Sequence, residues 1–315
     1  MNTRPLGRTG FDVAPLALGG NVFGWTADEP TSFAVLDAFV AGGGNLIDTA
    51  DSYSRWASGH AGGESETVIG RWIARRGRHD DVVIATKVGS DMGLGYKCLR
   101  ADYIVRAAED SLRRLNVDAI DLYQAHWDVE DTPFEETLSA FDRLLRQGKA
   151  KAIGASNLTT QRLAQALAAA DRAHLPRYLT LQPHYNLYER AQFEGPLQDL
   201  CVREGLGVIP YFALASGFLT GKYRSEADFG RSARGGGMHK FLNERGLRIV
   251  AALHDVGGRL HATPAQVALA WLMGRPGVTA PIASATSVAQ VEELLGAMRL
   301  ALDADAVRVL DGASA

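Results

Sequence analysis

One rhythm runs through the 315 residues: a short apolar, β-branched run, a cluster of Gly, Asp, Ser or Asn, then an amphipathic stretch. The runs occupy residues 15–19, 45–49, 82–87, 119–126, 150–156, 178–182, 207–210 and 279–283. Their apolar residues are continuous rather than alternating, which is the pattern of strands covered on both faces. Helical periodicity fills intervals at 31–41, 64–75, 101–115, 133–147, 159–172, 191–204 and 264–274. Thr132 and Thr263 stand before Pro133 and Pro264, which predicts threonine N-caps with proline in the first helical position. Gly42, Gly148 and Gly205 are expected to take the left-handed position that follows a helix end. Strands alternating with helices build a parallel sheet, and eight such units close a barrel. The expected fold is therefore an α/β, (β/α)8 TIM barrel, with residues 1–315 in one domain and the active site at the C-terminal mouth. An open doubly wound sheet is the competing arrangement. Its G-x-G-x-x-G fingerprint is absent, since Gly42-Gly43-Gly44 ends a helix instead of opening one.

Charge and composition remove several function classes. Thirty-three basic and 36 acidic residues give a net charge of −3, which lacks the concentrated basic face of a nucleic-acid binder. Cys98 and Cys201 are the only two cysteines, far apart and without metal-ligand spacing, so neither a metal site nor a disulfide scaffold is expected. The start, Met1-Asn2-Thr3-Arg4-Pro5-Leu6-Gly7-Arg8, carries no apolar stretch and is not read as a signal peptide. No apolar run is long enough to span a bilayer. A cytoplasmic protein acting on a small molecule, without a membrane or nucleic-acid partner, is the expectation.

In a closed barrel the reacting groups sit where strands end. The polar residues there are Asp48, Tyr53 just beyond it, Lys87, His126, Ser156 with Asn157, Gln182 and Tyr211. A lysine ending an apolar strand needs a carboxylate partner, and Asp48 on the neighbouring strand is the candidate. Tyr53 lies far enough past Asp48 to turn back over the barrel mouth. These groups suit carbonyl reduction. Negative charge develops on oxygen and needs a proton donor; a phenol titrates near 10, too high to exchange protons readily, and a neighbouring ammonium favours the phenolate. His126 orients and polarises the carbonyl. The hydride must come from a cofactor. Taken singly, Asp48 also reads as a strand-end cap, Lys87–Asp48 as a structural ion pair and His126 as a core histidine. The four together, on separate strand ends, make the stronger signal.

The same residues resemble the aldo-keto reductases along nearly the whole chain, most closely the bacterial and channel-β-subunit-like branch. The blocks are Asn45-Leu46-Ile47-Asp48-Thr49-Ala50-Asp51-Ser52-Tyr53, Glu64-Ser65-Glu66 with Ile69-Gly70, Thr86-Lys87, and Asp121-Leu122-Tyr123-Gln124-Ala125-His126-Trp127. Gly154-Ala155-Ser156-Asn157, Gln182-Pro183-His184-Tyr185-Asn186-Leu187 and Leu219-Thr220-Gly221-Lys222-Tyr223 follow in order. The resemblance implies the catalytic tetrad Asp48, Tyr53, Lys87 and His126 and a nicotinamide cofactor lying across the barrel mouth. It implies that Ser156, Asn157 and Gln182 hold the carboxamide and Tyr211 stacks on the ring. Phe212, Ala213, Leu214, Ser216 and Gly217 fall where backbone amides meet the pyrophosphate, with Lys222 beside them. Gly20 and Asn21 after the first strand join the cofactor set. The polar loop 221–241 becomes a cofactor lid with Arg231 or Arg234 reaching the phosphates.

At the last strand many members carry Lys or Arg facing the adenosine 2′-phosphate, and an Asn further on. This chain reads Ser284-Ala285-Thr286-Ser287, then Gln290, Glu293 and Leu294. Hydroxyls, amides and a helix N-terminus can hold a phosphate, though the point charge is missing. The pattern is similar to that of channel-associated members that bind NADPH. The expected cofactor is accordingly NADP(H), with NAD(H) as the alternative, held at Ser284, Thr286, Gln290 and Glu293.

The expected activity is interconversion of an aldehyde or ketone and its alcohol, with Tyr53 as general acid and base. The substrate pocket is expected from Trp25, Tyr53, Trp56, His126 and Trp127. Two other readings stay open: a cofactor-binding regulatory subunit with little turnover, similar to potassium-channel β subunits, and a barrel lyase or isomerase using Lys87 as a Schiff-base nucleophile. Neither the substrate nor the oligomeric state follows from the sequence.

Overall fold

The computed structural model describes residues 3–231 and 235–315. A short antiparallel hairpin comes first, β1 (Arg4–Pro5) against β2 (Asp12–Val13). Eight parallel strands follow: β3 (Ala17–Gly19), β4 (Leu46–Asp48), β5 (Val83–Val88), β6 (Ile120–Ala125), β7 (Ala150–Ser156), β8 (Thr180–Gln182), β9 (Gly207–Val208) and β10 (Ile282–Ala283). Neighbours in sequence are neighbours in the sheet, and β10 returns to pair with β3. The gap between β9 and β10 is bridged by backbone: Thr279 N–H donates to Val208 O at 2.8 Å and Ile282 N–H to Pro210 O at 2.8 Å. With these bonds the sheet runs full circle as a (β/α)8 barrel.

Alternation of side chains along each strand decides what the barrel encloses. Leu46, Val83, Ala85, Leu122 and Ala152 form one inner cluster with Leu6, Val13, Ile209 and Ile282. Ile47, Ile84, Tyr123, Ile153 and Leu181 face the other way and pack under the helices. Counting on by two from the inner residues reaches Asp48, Lys87, His126 and Ser156 at the C-terminal strand ends, all on the inner face. The hairpin closes the opposite end, with Leu6 and Val13 in the inner cluster. Gly7 turns that hairpin at φ +56°, and a Cβ there would overlap the Leu179 carbonyl and the Gly207 amide. Only glycine fits.

The helices wrap the outside: α1 (Glu29–Ala41), α2 (Glu64–Arg76), α3 (Ala101–Leu115), α4 (Phe134–Arg146), α5 (Thr160–Ala173), α6 (Pro196–Glu204), α7 (Glu244–Leu260), α8 (Pro264–Met273), α9 (Val288–Ala297) and α10 (Ala304–Ser314). In α3 the buried residues are Ile104, Ala107, Ala108, Ser111, Leu112 and Leu115, a stripe at helical spacing. Thr263 is the N-cap of α8, as the sequence predicts, and it forms a complete capping box with Gln266.

Gly148 and Gly205 take the expected left-handed position at φ +69° and +66°, whereas other local expectations need correction. Pro133 itself occupies the N-cap of α4 in extended backbone, and Thr132 makes no capping bond. Gly42 ends α1 at φ −79°, so the left-handed residue is Gly43 at φ +89°. Residues 191–195 form a turn, and α6 starts only after Gly195. Helices α7, α9 and α10 lie outside the predicted set. Most strands are shorter than their apolar runs, because burial extends beyond the ladder pairing into the segments that flank each strand. The segment expected as a loop at 221–241 carries two short 3-10 turns, Glu226–Arg231 and Gly235–Met238. Among the described residues no helix is long and apolar enough to cross a membrane.

Candidate active site

A cleft of about 940 Å³ opens at the C-terminal mouth of the barrel. At its floor Lys87 is fully buried, with three acceptors around its ammonium. Its Nζ donates to Asp48 Oδ2, Thr49 O and Tyr53 Oη, each at 2.8 Å. An ammonium has three N–H groups, so all are used. Burial pulls the Lys87 ammonium below the usual lysine range, and the Asp48 carboxylate opposes that pull. Tyr53 Oη accepts from Lys87 and donates to Asp48 Oδ2 at 3.0 Å, closing a triangle. Gln182 Nε2 donates to the other Asp48 oxygen at 2.9 Å. Asp48, which shows 1 % of its surface, is thereby satisfied on both oxygens.

His126 lines the cleft beside Tyr53, the two rings 6.0 Å apart centre to centre. Burial, then the charges of Lys87 and Lys97, hold its imidazole well below the ordinary histidine range, so the ring is neutral. Its Nδ1 lies 3.0 Å from Ser90 Oγ.

Next to this group lies an amide-rich ledge. Asn157, in left-handed backbone at φ +58°, donates from Nδ2 to His126 O at 2.8 Å and to Ser156 Oγ at 3.1 Å. Ser156 Oγ donates to Gln182 O at 2.8 Å, and Tyr211 Oη donates to Asn157 Oδ1 at 2.7 Å. Tyr211 rests one ring face on His184, stacked 5.2 Å away, and lines the cleft. From here the chain enters a run of left-handed residues, Phe212, Ala215, Ser216 and Gly217, with φ of +54°, +47°, +59° and +97°. Such backbone turns successive amides toward one side and suits an anion. Ala213, Leu214, Ser216, Gly217 and Lys222 line this part of the cleft. At the far end Ser284 Oγ donates to Asn21 Oδ1 at 2.6 Å, and Gln290 Oε1 accepts from Thr286 N at 2.8 Å. Ser287 caps α9 here.

The donor set fits a dinucleotide with a nicotinamide ring. Carboxamide N–H groups need acceptors, which Asn157 Oδ1 and Gln182 Oε1 supply. A planar ring needs a flat partner, which the open face of Tyr211 offers. Phosphates need amides and a cation, found along 212–222.

Most of the residues singled out from sequence line this one cleft: Asn21, Asp48, Tyr53, Trp56, His126, Trp127, Ser156, Asn157, Gln182, Tyr211, Phe212, Ala213, Leu214, Ser216, Gly217, Lys222, Ser284, Thr286, Gln290 and Glu293. Three do not. Lys87 lies beneath it, Gly20 is buried behind Asp48, and Trp25 stands outside with its ring edge-on to Trp56 at 5.6 Å. The side chain of Arg231 and all of Arg234 lie outside the described residues. Sequence reasoning missed Ser90, Arg55 and Asp91, which also line the cleft. It also missed a buried acidic pair behind the floor. Glu66 accepts from Thr86 Oγ1 at 2.6 Å and from Arg114 Nε at 2.7 Å. Asp51 has no side-chain hydrogen-bond partner among the described residues, and burial followed by the Glu66 charge pushes its carboxyl up to about 8.

The sequence profile of the aldo/keto reductase family matches residues 15–315. Among curated relatives, the uncharacterized oxidoreductase YrpG of Bacillus subtilis is 36 % identical over 316 residues, covering 97 % of this chain and 94 % of YrpG. Protein tas of Escherichia coli is 32 % identical over 326 residues, covering 96 % of this chain and 94 % of its own. A probable voltage-gated potassium channel subunit beta of Arabidopsis thaliana is 32 % identical over 306 residues, covering 95 % and 91 %.

Proposed function

The chain belongs to the aldo/keto reductase family, and on that premise we propose that it is an NADP(H)-dependent oxidoreductase interconverting an aldehyde or ketone and its alcohol. The observation that carries the reading is the triangle of Lys87, Asp48 and Tyr53, closed by bonds of 2.8, 2.8 and 3.0 Å at the floor of a cleft that His126 also lines. When bound, the reduced nicotinamide supplies the hydride.

The chain's own residues do the rest. His126 is neutral, so it acts as a hydrogen-bond donor to the carbonyl oxygen rather than as the acid. Tyr53 is the proton donor. Its hydroxyl proton points at Asp48 in the resting geometry, and rotation about the C–O bond redirects it to a substrate oxygen. Lys87 stays bonded throughout and stabilises the negative charge left on the phenol oxygen. It is sealed from the cleft, which disfavours Schiff-base chemistry. Asp48 keeps the ammonium charged and aimed. In the oxidation direction the same groups take the proton from the alcohol. Ser156, Asn157, Gln182 and Tyr211 would hold the nicotinamide end, and the 212–217 backbone with Lys222 the phosphates.

The test is Tyr53→Phe. Turnover on a carbonyl panel should fall by about two orders of magnitude or more, with NADPH binding, read by fluorescence, unchanged. Full turnover in that variant would reject the mechanism. The likeness to a channel β subunit keeps a cofactor-binding regulatory role as the second reading. Tight NADPH binding with negligible turnover by the unmodified protein would favour it.

A further inference from the structure

We propose that Ser90 and Trp127 are positioning residues: a hydrogen-bond chain from the Trp127 indole through the Ser90 hydroxyl to His126 Nδ1 fixes His126 as its Nε2–H tautomer and presents that N–H to the oxygen of the carbonyl substrate. Trp127 Nε1 lies 3.0 Å from Ser90 Oγ, and Ser90 Oγ lies 3.0 Å from His126 Nδ1. The direction of the first link is not in question, because an indole N–H only donates. Ser90 then has one proton of its own, and among the described residues His126 Nδ1 is the one acceptor it meets. Ser90 lines the cleft but shows only 8 % of its surface, which favours His126 over water as the acceptor of that proton. The opposite tautomer would aim a second N–H at an oxygen already accepting one, and would strand the hydroxyl proton.

Three further features hold the chain in place. The His126 backbone N–H donates to Val88 O at 2.8 Å, which anchors the ring at the end of β6. The imidazole and the neighbouring indole stack at 5.5 Å and 17°. Lys97 Nζ sits 3.6 Å from the centre of the Trp127 ring, where its charge draws electron density and strengthens the indole as a donor. Burial and the two lysines keep the imidazole neutral, so it has a single N–H to place.

The consequence is electrostatic. A carbonyl oxygen only accepts, so a bare Nε2 facing it would repel where Nε2–H attracts. The catalytic half of the inference rests on the carbonyl-reducing reading. The tautomer half does not.

Two measurements separate them. Two-bond 1H–15N correlation spectra at neutral pH, with the His126 signals assigned by their loss in His126→Phe, should show a protonated Nε2 and a bare Nδ1 shifted by an accepted hydrogen bond. In Ser90→Ala the Nδ1 signal should move to its unbonded position, and Trp127→Phe should move it the same way by less. Removing an oxyanion donor outright costs roughly a hundredfold or more; loosening one by Ser90→Ala should cost about tenfold in kcat, with NADPH affinity unchanged and Ser90→Thr restoring most of it. A proton on Nδ1 in the unmodified protein would overturn the inference, and that spectrum needs no variant to fold. So would Ser90→Ala with the Nδ1 signal and kcat both unmoved.

Discussion

The ammonium of Lys87 sits 2.8 Å from the phenol oxygen of Tyr53 while showing none of its own surface to the cleft. On the proposed reading Lys87 therefore acts on substrate only through Tyr53, and its worth is split between charge and structure. Lys87→Met should abolish most turnover. It should also destabilise the fold by about 3–5 kcal/mol, because Asp48 is left as a buried charge without its partner. The double variant Lys87→Met/Asp48→Asn should recover much of the stability and none of the activity. Urea midpoints and single-turnover rates on the three proteins check this; additive stability losses would mean that the two side chains are not energetically coupled.

That pair was legible in the sequence because strand periodicity leaves little choice. Leu46 and Asp48 share a face, as do Val83, Ala85 and Lys87, and inner packing of the apolar members carries the polar ends inside. Ser156 and Gln182 follow the same logic. Ser90 does not. It lies two residues past β5, just after Gly89 at φ +114°, where no period constrains direction. Its partners come from the end of β6, and only the folded register brings them together. Trp25 shows a related limit: an aromatic in a loop after β3 can serve the cleft or another aromatic, and here its ring meets Trp56. Asp51 belongs to the same Asp48–Tyr53 stretch, yet nothing in the pattern says that its carboxyl is buried beside Glu66. Helix α7 was hidden by Gly246, Gly257 and Gly258, which weaken its helical signal. Gly246 and Gly257 pack where a Cβ would overlap the Phe241 and Ala262 carbonyls.

Asp51 sets a pH dependence of stability. Its carboxyl is raised to about 8 in the fold, mainly by burial and next by Glu66, with Arg114 and Lys87 opposing. In the unfolded chain it titrates near 4. The folded state thus binds the extra proton between those values, so this contribution is fully present below about pH 4 and is lost as pH rises toward about 8. The slope is at most about 1.4 kcal/mol per pH unit. Asp51→Asn should remove it. Urea midpoints at about pH 5 and about pH 8 should therefore differ less in the variant, and parallel changes in the two proteins would show that Asp51 stays ionised.

Tyr211 offers its free ring face to the cleft while His184 supports the other at 5.2 Å. On the proposed reading that face carries the nicotinamide ring. Tyr211→Ala removes the platform and the donor to Asn157, and should weaken NADPH binding by about tenfold. Tyr211→Phe keeps the platform and should lose about threefold or less. Fluorescence titration separates the two; equal losses would mean that the hydroxyl, not the ring, is what matters.

On the proposed reading, the choice between NADPH and NADH would be made at the α9 end of the cleft. The lining residues there, Ser284, Thr286, Gln290 and Glu293, bring hydroxyls, an amide and a carboxylate, with no cation among the described residues. A 2′-phosphate at this end would depend on hydrogen bonds and the N-terminus of α9, whose contribution falls with salt. Supplying the missing charge should show whether the phosphate sits there. Thr286→Lys should raise the NADPH-to-NADH affinity ratio by about tenfold through a charge-assisted bond, and the gain should shrink at high ionic strength. Glu293→Gln should shift the ratio in the same direction by removing repulsion. Dissociation constants for both reduced dinucleotides, measured at low and high salt, decide the matter. A ratio that neither substitution moves would place the 2′ position elsewhere, and NADP(H) preference would lose its structural basis.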